Sequence, residues 1–382
     1  MSWHRIIGQQ RVKEILVSAL RSGRLPHAYA FVGLDGVGKD GAALELAKLL
    51  HCEVGGEEAC DKCPSCVRLN LLQHPDLRFV VALPVGKGEK ADDPPLEKLS
   101  QMDIEAIREQ FRLKADDPYH RIVIPKASII KINSIRDIRR ESSLSTSGRG
   151  KRVIIISRAD EMGDAAANTL LKTLEEPGEN TMLILTTSHR DALLPTILSR
   201  CQMVQFDPLT ERDILAALIE RKQVEPGQAS LVARLANGSY TKAVELLHED
   251  VAQQRQQVVA FIRAALGNTI TSVTDAVDEL CAGKDRQRVI QFLNLMLIWV
   301  RDAMVLLQGG QVINLDQQDD LRKFVGRFPS ADLVRVLENI ERAISLVERN
   351  VYINLVMLHL AVQFRHSIRS AAPAANQISF EA

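Results

Sequence analysis

The sequence predicts an α/β domain built on a parallel sheet and followed by an all-helical region. A glycine-rich loop at residues 33–39 separates an apolar strand from an amphipathic helix, as at the start of an α/β unit. Apolar, β-branched runs at 152–156 and 182–186 are typical of central parallel strands. Strand signals nearly vanish after residue 207. Strand–helix alternation followed by helices alone indicates separate domains.

The first elements form a strand, a loop and a helix. Helical spacing of apolar residues predicts a helix over 10–21, and residues 28–32 are typical of a short buried strand. The glycine-rich turn follows directly. Beyond it, apolar residues at 43, 46, 47 and 50 share one face of a second helix.

The middle of the chain supplies further strands and an insertion. Strands are expected at 77–83, 152–156, 182–186 and 203–206. A helix should begin near Asp164, a candidate N-cap, and end before Pro177. Residues 84–126 are rich in glycine, proline and charge, which predicts an exposed and partly disordered insertion. Helices are then expected at 215–221, 229–236, 241–248 and through most of 251–369.

Composition and charge exclude several classes of protein. Of 382 residues, 46% are hydrophobic and 25% are charged, enough for more than one domain with a buried core. Lys plus Arg and Asp plus Glu both number 48, which argues against binding nucleic acid or an anionic membrane by net charge alone. No apolar run approaches the roughly 18–20 residues of a membrane span. Charged residues stand near the N-terminus in place of a secretory signal, so the expected location is the cytoplasm.

The glycine-rich loop is a near match to a phosphate-binding P-loop, G-x-x-x-x-G-K-[ST]. In such a loop backbone N–H groups cradle phosphates, the lysine reaches the β/γ oxygens, and the final hydroxyl holds Mg²⁺. The candidate nucleotide-binding residues are Gly33, Gly36, Gly38 and Lys39, but Asp40 replaces the hydroxyl residue. An ordinary glycine turn is the alternative. The sequence leaves open whether ATP still binds.

The second position that should hold magnesium is also altered. The partner motif is an apolar strand that ends in an acidic pair. The strand at 153–156 is present, but Ser157 and Arg158 stand where the acidic pair should be. Two independent losses predict that this domain does not hydrolyse nucleotide.

Four of the six cysteines fall within fifteen positions: Cys52, Cys60, Cys63 and Cys66. Four thiolates in reach of one tetrahedral ion predict a closed, structural Zn²⁺ site, because no coordination position is left for water. His51 is an alternative ligand, and a redox C-x-x-C pair is an alternative chemistry. A DNA-reading zinc finger is disfavoured by the acidic residues around the ligands.

Several motifs together resemble a known family. They are Ile7-Gly8-Gln9, the run at 25–31, the degenerate P-loop, Asp164-Ala-Ala-Ala-Asn-Thr-Leu-Leu-Lys-Thr-Leu-Glu-Glu-Pro177, and the run at 194–201. Over residues 3–250 the chain is similar to the delta-prime family of clamp-loader AAA+ subunits of bacterial DNA polymerase III. The resemblance implies an AAA+ domain over 1–207, with a zinc module at 52–66 and an insertion near 84–126. It also implies a helical lid over 208–250 and a helical collar over 251–370. The small and polar residues at 371–382 predict a flexible tail.

The resemblance further implies a role in loading a sliding clamp onto primed DNA. Such a subunit would join gamma/tau and delta subunits in a pentameric ring, with no membrane contact, and would act as a stator. Arg200, in the triplet at 199–201, would be an arginine finger for a neighbouring subunit; the alternative is an arginine at a helix C-terminus. Thr186 matches the strand-end sensor position, and Thr241 stands where an active subunit would offer arginine.

Two rival functions remain open from the residues. One is an active AAA+ ATPase of the gamma/tau type, which would have to tolerate Asp40 and the Ser157-Arg158 pair. The other is a DNA-binding zinc protein acting alone. Its support is a basic run comprising Arg136, Arg139, Arg140, Arg149, Lys151 and Arg152.

Overall fold

The computed structural model describes residues 2–142, 151–178, 180–248, 251–267, 269–283, 285–310, 312 and 317–369. The expected flexible tail at 371–382 and Arg149 of the basic run lie outside these residues. The chain divides into two units, Met1–Glu245 and Leu246–Ala382.

The N-terminal unit is organised around one parallel sheet. Its strands are β1 (Ala28–Val32), β2 (Leu77–Val80), β3 (Arg152–Ile156), β4 (Thr181–Thr187) and β5 (Gln202–Gln205). Their order is β2-β3-β4-β1-β5, so β1 is paired on both sides: Ala30 lies between Leu185 and Met203. The predicted α/β fold with a parallel sheet is confirmed. Strand β2 is shorter than expected, since it ends at Val80 and not at residue 83.

Helices precede, connect and follow these strands. They are α1 (Gln10–Arg21), α2 (Lys39–His51), α3 (Pro64–Asn70), α4 (Gln101–Asp116), α5 (Ile132–Ser142), α6 (Asp164–Glu175), α7 (Pro195–Leu198), α8 (Glu211–Lys222), α9 (Pro226–Leu235) and α10 (Tyr240–His248). Short 3₁₀ turns lie at Ser2–Arg5, Ala159–Glu161 and Arg190–Ala192. The N-cap of α6 is Gly163, so the expectation that Asp164 caps this helix is wrong; Asp164 is its first residue.

The core lies on both faces of the sheet. All five residues of β3 are buried, because a central parallel strand has a covered surface on each side. Ile155 packs with Tyr29 and Phe31 on one face, whereas Ile154 packs with Leu170 on the other. This double burial explains why β1, β3 and β4 are continuous apolar runs in the sequence.

The predicted disorder within 84–126 is wrong for this segment. Helix α4 begins with a capping box in which Ser100 and Asp103 bond each other's backbone N–H groups. Ile107 and Ile124 join the core of the sheet domain. The glycines, prolines and charges suggested a solvated loop because their partners are distant in sequence.

The C-terminal unit is helical, as expected. Its helices are α11 (Val251–Leu266), α12 (Ile270–Cys281), α13 (Arg286–Leu307), α14 (Gln318–Arg327), α15 (Leu333–Glu348) and α16 (Ile353–Arg369). Helix α13 packs against α11, α14 and α15, and α16 packs against α11, α12 and α15. Among the buried residues at these contacts are Leu293, Val336 and Leu360.

One stretch of α13 corrects an expectation from the sequence. Arg288–Leu307 is long and apolar enough to cross a membrane by length and composition, the single such helix among the described residues. Polar residues such as Asn294 interrupt its apolar runs but leave it apolar on average. More than half of its most apolar stretch is buried inside the structure, and core helices pass the same test, so the feature is weak evidence for a span.

Candidate functional site

The P-loop residues lie at the carboxyl end of the central strand β1. The loop leaves β1 after Val32, and helix α2 begins at Lys39. Gly36 and Gly38 have φ values of 75° and 96°, a left-handed conformation that side chains other than glycine rarely adopt. The neighbouring strands β3 and β4 end at the same edge, which places Ser157 and Thr186 close to the loop. In open parallel sheets this edge is where ligands bind.

The P-loop lysine bonds to its own loop. Lys39 Nζ donates hydrogen bonds to the backbone oxygens of Gly33, at 2.8 Å, and Leu34, at 2.6 Å. The residue is only 7% exposed, and burial lowers the pKa of its ammonium group. The loop carbonyls therefore take hydrogen bonds that a phosphate would otherwise receive.

Asp40, which replaces the hydroxyl residue of the P-loop, is held by hydrogen bonds and an ion pair. Its Oδ2 accepts from Ser157 Oγ at 2.8 Å and pairs with Lys114 Nζ at 3.0 Å. Its Oδ1 accepts from Thr186 Oγ1 at 2.7 Å. Burial acts to raise the pKa of Asp40, but the Lys114 ammonium and the hydrogen bonds from Thr186, Lys114 and Ser157 outweigh it and leave that pKa below its usual value. Asp40 is therefore paired with one cation and two hydroxyl groups of its own chain.

The space beside the loop is small. Its cavity of about 140 Å³ is lined by the loop and by residues 118–124. Ligand pockets usually measure about 300–1,000 Å³. Residues of the 84–126 insertion thus form one wall of the cavity next to the P-loop.

The four clustered cysteines converge as the sequence predicts. All four Sγ atoms lie within 4.8 Å of one another, and Cys60 Sγ is 3.9 Å from Cys66 Sγ. Tetrahedral Zn–S bonds of about 2.3 Å place sulfur atoms about 3.8 Å apart. The sulfurs of Cys52, Cys60 and Cys63 accept backbone N–H groups at 3.3–3.4 Å. The donor set and spacing fit a tetrahedral zinc ion.

The environment of the thiols differs between the ligands. Backbone N–H groups of Lys62 and Cys63 lower the pKa of the Cys60 thiol to about 6. Burial raises the pKa of the Cys66 thiol, which lies in α3 and belongs to the core. A metal cation would compensate the cost of a buried thiolate at Cys66.

A buried lysine joins the cysteine cluster to the sheet domain. Lys48 Nζ in α2 lies 2.8 Å from Glu45 Oε1 and 2.8 Å from Asp61 Oδ1, and Asp61 stands between the cysteine ligands. Burial raises the pKa of Glu45 to about 7 in spite of Lys48. The cluster is therefore anchored on the helix that follows the P-loop.

Arg200 lies on the surface after α7. Its guanidinium donates to Glu175 Oε1 at 2.8 Å and to the backbone oxygen of Thr196 at 3.0 Å. The side chain is 36% exposed. The Thr196 contact is the helix C-terminal interaction that the sequence offered as the alternative role. An exposed ion pair of this kind contributes about 0–1 kcal/mol, so the guanidinium can exchange partners at little cost.

A family model described as "DNA polymerase III, delta subunit" matches residues 8–210, more than half of the chain. The chain belongs to this family. The matched region contains the P-loop, the cysteine cluster and Arg200.

Relatives of this family member agree with that assignment. The DNA polymerase III subunit delta′ of Bacillus subtilis is 29% identical over 363 residues, covering 94% of this chain and 96% of the relative. The tau subunit of Bacillus subtilis is 29% identical over 285 residues, covering 73% of this chain and 42% of that protein. The resemblance to the delta-prime family is confirmed. Among solved structures, a gamma subunit-related protein of DNA polymerase III from Thermotoga maritima covers 93% of this chain and 99% of its own, with 14% identity and a TM-score of 0.39.

The sequence analysis did not identify two residues that lie beside the P-loop, Lys114 and Tyr119. Both lie in the insertion, about 75 residues after the P-loop. Lys114 pairs with Asp40, and the Tyr119 hydroxyl accepts a hydrogen bond from the backbone N–H of Ile7 at 2.8 Å. The backbone oxygen of Tyr119 accepts from Thr241 Oγ1 at 3.0 Å. No local motif marks either residue.

Proposed function

We propose that this chain is a non-hydrolysing subunit of a bacterial DNA polymerase III clamp loader. Membership of the delta subunit family and the delta′ and tau relatives support a place in that assembly. The proposed partners are gamma/tau and delta subunits in a pentameric ring, together with the sliding clamp and primed DNA. The proposed location is the cytoplasm.

The state of Asp40 carries the non-hydrolysing part of the proposal. Phosphoryl transfer by P-loop proteins depends on Mg²⁺ and positioned charge. Here the position of the magnesium-binding hydroxyl is a carboxylate, already bonded to Ser157, Thr186 and Lys114. Ser157 is also the residue that replaces the first acidic partner. Both altered positions therefore contact each other and are engaged within the chain.

The alternative function, an active ATPase of the gamma/tau type, would require these hydrogen bonds and ion pairs to break. Lys39 would have to leave the carbonyls of Gly33 and Leu34 to reach a phosphate. Asp40 would also have to give up its ion pair with Lys114. These requirements favour a subunit that does not hydrolyse ATP.

The second rival, a DNA-binding protein acting alone, loses most of its support. Arg136 Nη1 contacts Asp92 Oδ1, and Arg140 donates to the backbone oxygen of Asp92. Arg152 is buried, at 8% exposed. Part of the basic run is thus committed to contacts within the chain.

We assign Arg200 the role of an arginine finger that acts on a neighbouring subunit. Its own P-loop region offers it no task, and its contact with Glu175 is exposed and weak. A guanidinium that exchanges partners easily is suited to meet charge that develops on a γ-phosphate. The stator role follows from combining this finger with an inactive site.

The cysteine cluster is proposed to hold a structural Zn²⁺. Cys52, Cys60, Cys63 and Cys66 would complete its tetrahedral shell and leave no position for a substrate. The proposal also keeps the division into an AAA+ domain at 1–207, a lid at 208–250 and a collar at 251–370.

The absence of turnover is tested with the purified chain. We expect no ATP hydrolysis above background, and no change on Lys39→Ala. Turnover that Lys39→Ala abolishes would show that the site is active and would refute the non-hydrolysing assignment. Residual turnover that survives Lys39→Ala would identify a contaminating ATPase.

A further inference from the structure

The 84–126 insertion delivers a buried ammonium group to the P-loop. Lys114, near the end of α4, is only 4% exposed at its side chain, and its Nζ lies 3.0 Å from Asp40 Oδ2. The same Nζ donates to the backbone oxygen of His120 at 2.9 Å. Ser157 and Thr186 donate to the same carboxylate from the ends of β3 and β4. One cation and two hydroxyls therefore surround Asp40.

These positions correspond to those that handle magnesium in an active P-loop protein. Residue 40 directly follows the P-loop lysine, where a hydroxyl would hold Mg²⁺. Residue 157 follows the strand that should end in an acidic pair. In this chain a carboxylate occupies position 40, where an active protein has a hydroxyl, and the positive charge beside it comes from Lys114.

Tyr119 brings the rest of the insertion against the loop. A Cβ atom placed on Gly38 would lie 2.7 Å from the Tyr119 hydroxyl oxygen, so the ring is in direct contact with the loop backbone. The Tyr119 hydroxyl accepts a hydrogen bond from the Ile7 N–H, and its backbone oxygen accepts one from Thr241, which holds the residue at two further points. The covering segment, residues 114–124, thus contacts the P-loop at Gly38.

We propose that Lys114 is a tethered replacement for the magnesium ion, held beside the P-loop by the covering segment. The proposal rests on the proposed function, in which this site hydrolyses nothing. It adds the physical means: the insertion supplies the cation. The mutual dependence of Asp40 and Lys114 follows, since neither charge can be buried alone without a large cost.

The test is to remove the ammonium and supply a divalent cation. Lys114→Met keeps an apolar side chain of similar length and leaves Asp40 without its counter-charge. We expect the melting temperature of the isolated chain to fall by roughly 6–12 °C. Millimolar Mn²⁺ should then raise the melting temperature of Lys114→Met by several degrees, because Asp40 with water and the two hydroxyls offers oxygen ligands. The wild-type chain should not respond to Mn²⁺.

Two further variants separate this role from ordinary stabilisation. In Asp40→Asn/Lys114→Met both charges are removed, and we expect recovery of most of the lost stability without a response to Mn²⁺. The matched control is Lys131→Met, which breaks another buried pair of the insertion region, Lys131 with Glu89 at 2.6 Å. It should lower the melting temperature without creating a Mn²⁺ response.

The proposal would be overturned if Lys114→Met had the melting temperature of the wild type. It would also be overturned if Lys114→Met had a lowered melting temperature that Mn²⁺ did not raise. If Lys114→Met cannot be obtained folded, a double variant that is equally unstable would show that the pair is not coupled. These readouts use no nucleotide and no partner subunit, so their failure is distinct from failure of the ATPase and Arg200 tests.

Discussion

Arg200→Ala should leave this chain folded but slow ATP hydrolysis at the neighbouring subunit that Arg200 is proposed to serve. The substitution removes the guanidinium and its contacts with Glu175 and Thr196. Both partners of the ion pair are exposed, at 36% and 50% of their side chains. The change should therefore cost the isolated chain at most about 1 kcal/mol of unfolding free energy. Its melting temperature should fall by no more than roughly 2–4 °C.

The expected effect on catalysis is far larger than the effect on folding. An arginine finger in comparable phosphoryl-transfer systems is worth ~10³–10⁵ in rate at the site it serves. Arg200→Ala should therefore nearly silence the ATP site that Arg200 is proposed to serve. The fall in total ATPase of the reconstituted complex depends on how strongly its sites are coupled, so clamp loading is the sharper readout.

The assay compares three variants in the reconstituted complex with clamp and primed DNA. Arg200→Lys keeps the positive charge but loses the planar fork, so it should recover only a fraction of the activity. Glu175→Gln is the matched control, because it weakens the same ion pair and leaves the guanidinium in place. We expect Glu175→Gln to load clamps at least as well as the wild type.

If Arg200→Ala and Glu175→Gln impair clamp loading equally, the ion pair is structural and Arg200 is not a finger. Full activity of Arg200→Ala would show that the residue only interacts with the C-terminal end of its own helix. Ring assembly and zinc content should be unchanged in all three variants, which a co-migration experiment and elemental analysis would establish.

Two other predictions concern the cysteine cluster and the helix beneath it. The purified chain should contain about one zinc ion. Cys66→Ala should lose the zinc and make residues 52–66 protease-sensitive, because structural thiolate sites bind zinc with apparent free energies of ~10–16 kcal/mol. A metal-free chain with an unchanged fold would contradict this prediction. Glu45 has a pKa raised by burial to about 7 from 4.5, so the folded state holds its proton more tightly. Its contribution to stability is complete below pH about 4.5 and is lost as the pH rises through about 7. Urea unfolding across this range should show a falling stability in the wild type and a smaller slope in Glu45→Gln; equal slopes would count against the assignment.

Local sequence signals determined the sheet and the identity of the candidate sites. Strands β1 and β3 could be predicted to the residue, because strands buried on both faces require continuous apolar, β-branched runs. The degenerate P-loop and the four cysteines could also be read directly. Glycines at positive φ and closely spaced cysteines reflect local geometry. Local geometry depends on residues that are neighbours in sequence, so these features can be recognised from the sequence.

The tertiary structure alone decided how the altered loop is stabilised. The sequence marks Asp40, Ser157 and Thr186 as departures or matches, but only the fold shows that all three share hydrogen bonds. It also shows Lys114 as the counter-charge, in a segment whose composition suggested a solvated insertion. Charge pairs and packing between distant segments leave no periodic pattern, since either partner alone looks like an exposed polar residue. Their energy depends on burial, which exists only once the chain has folded.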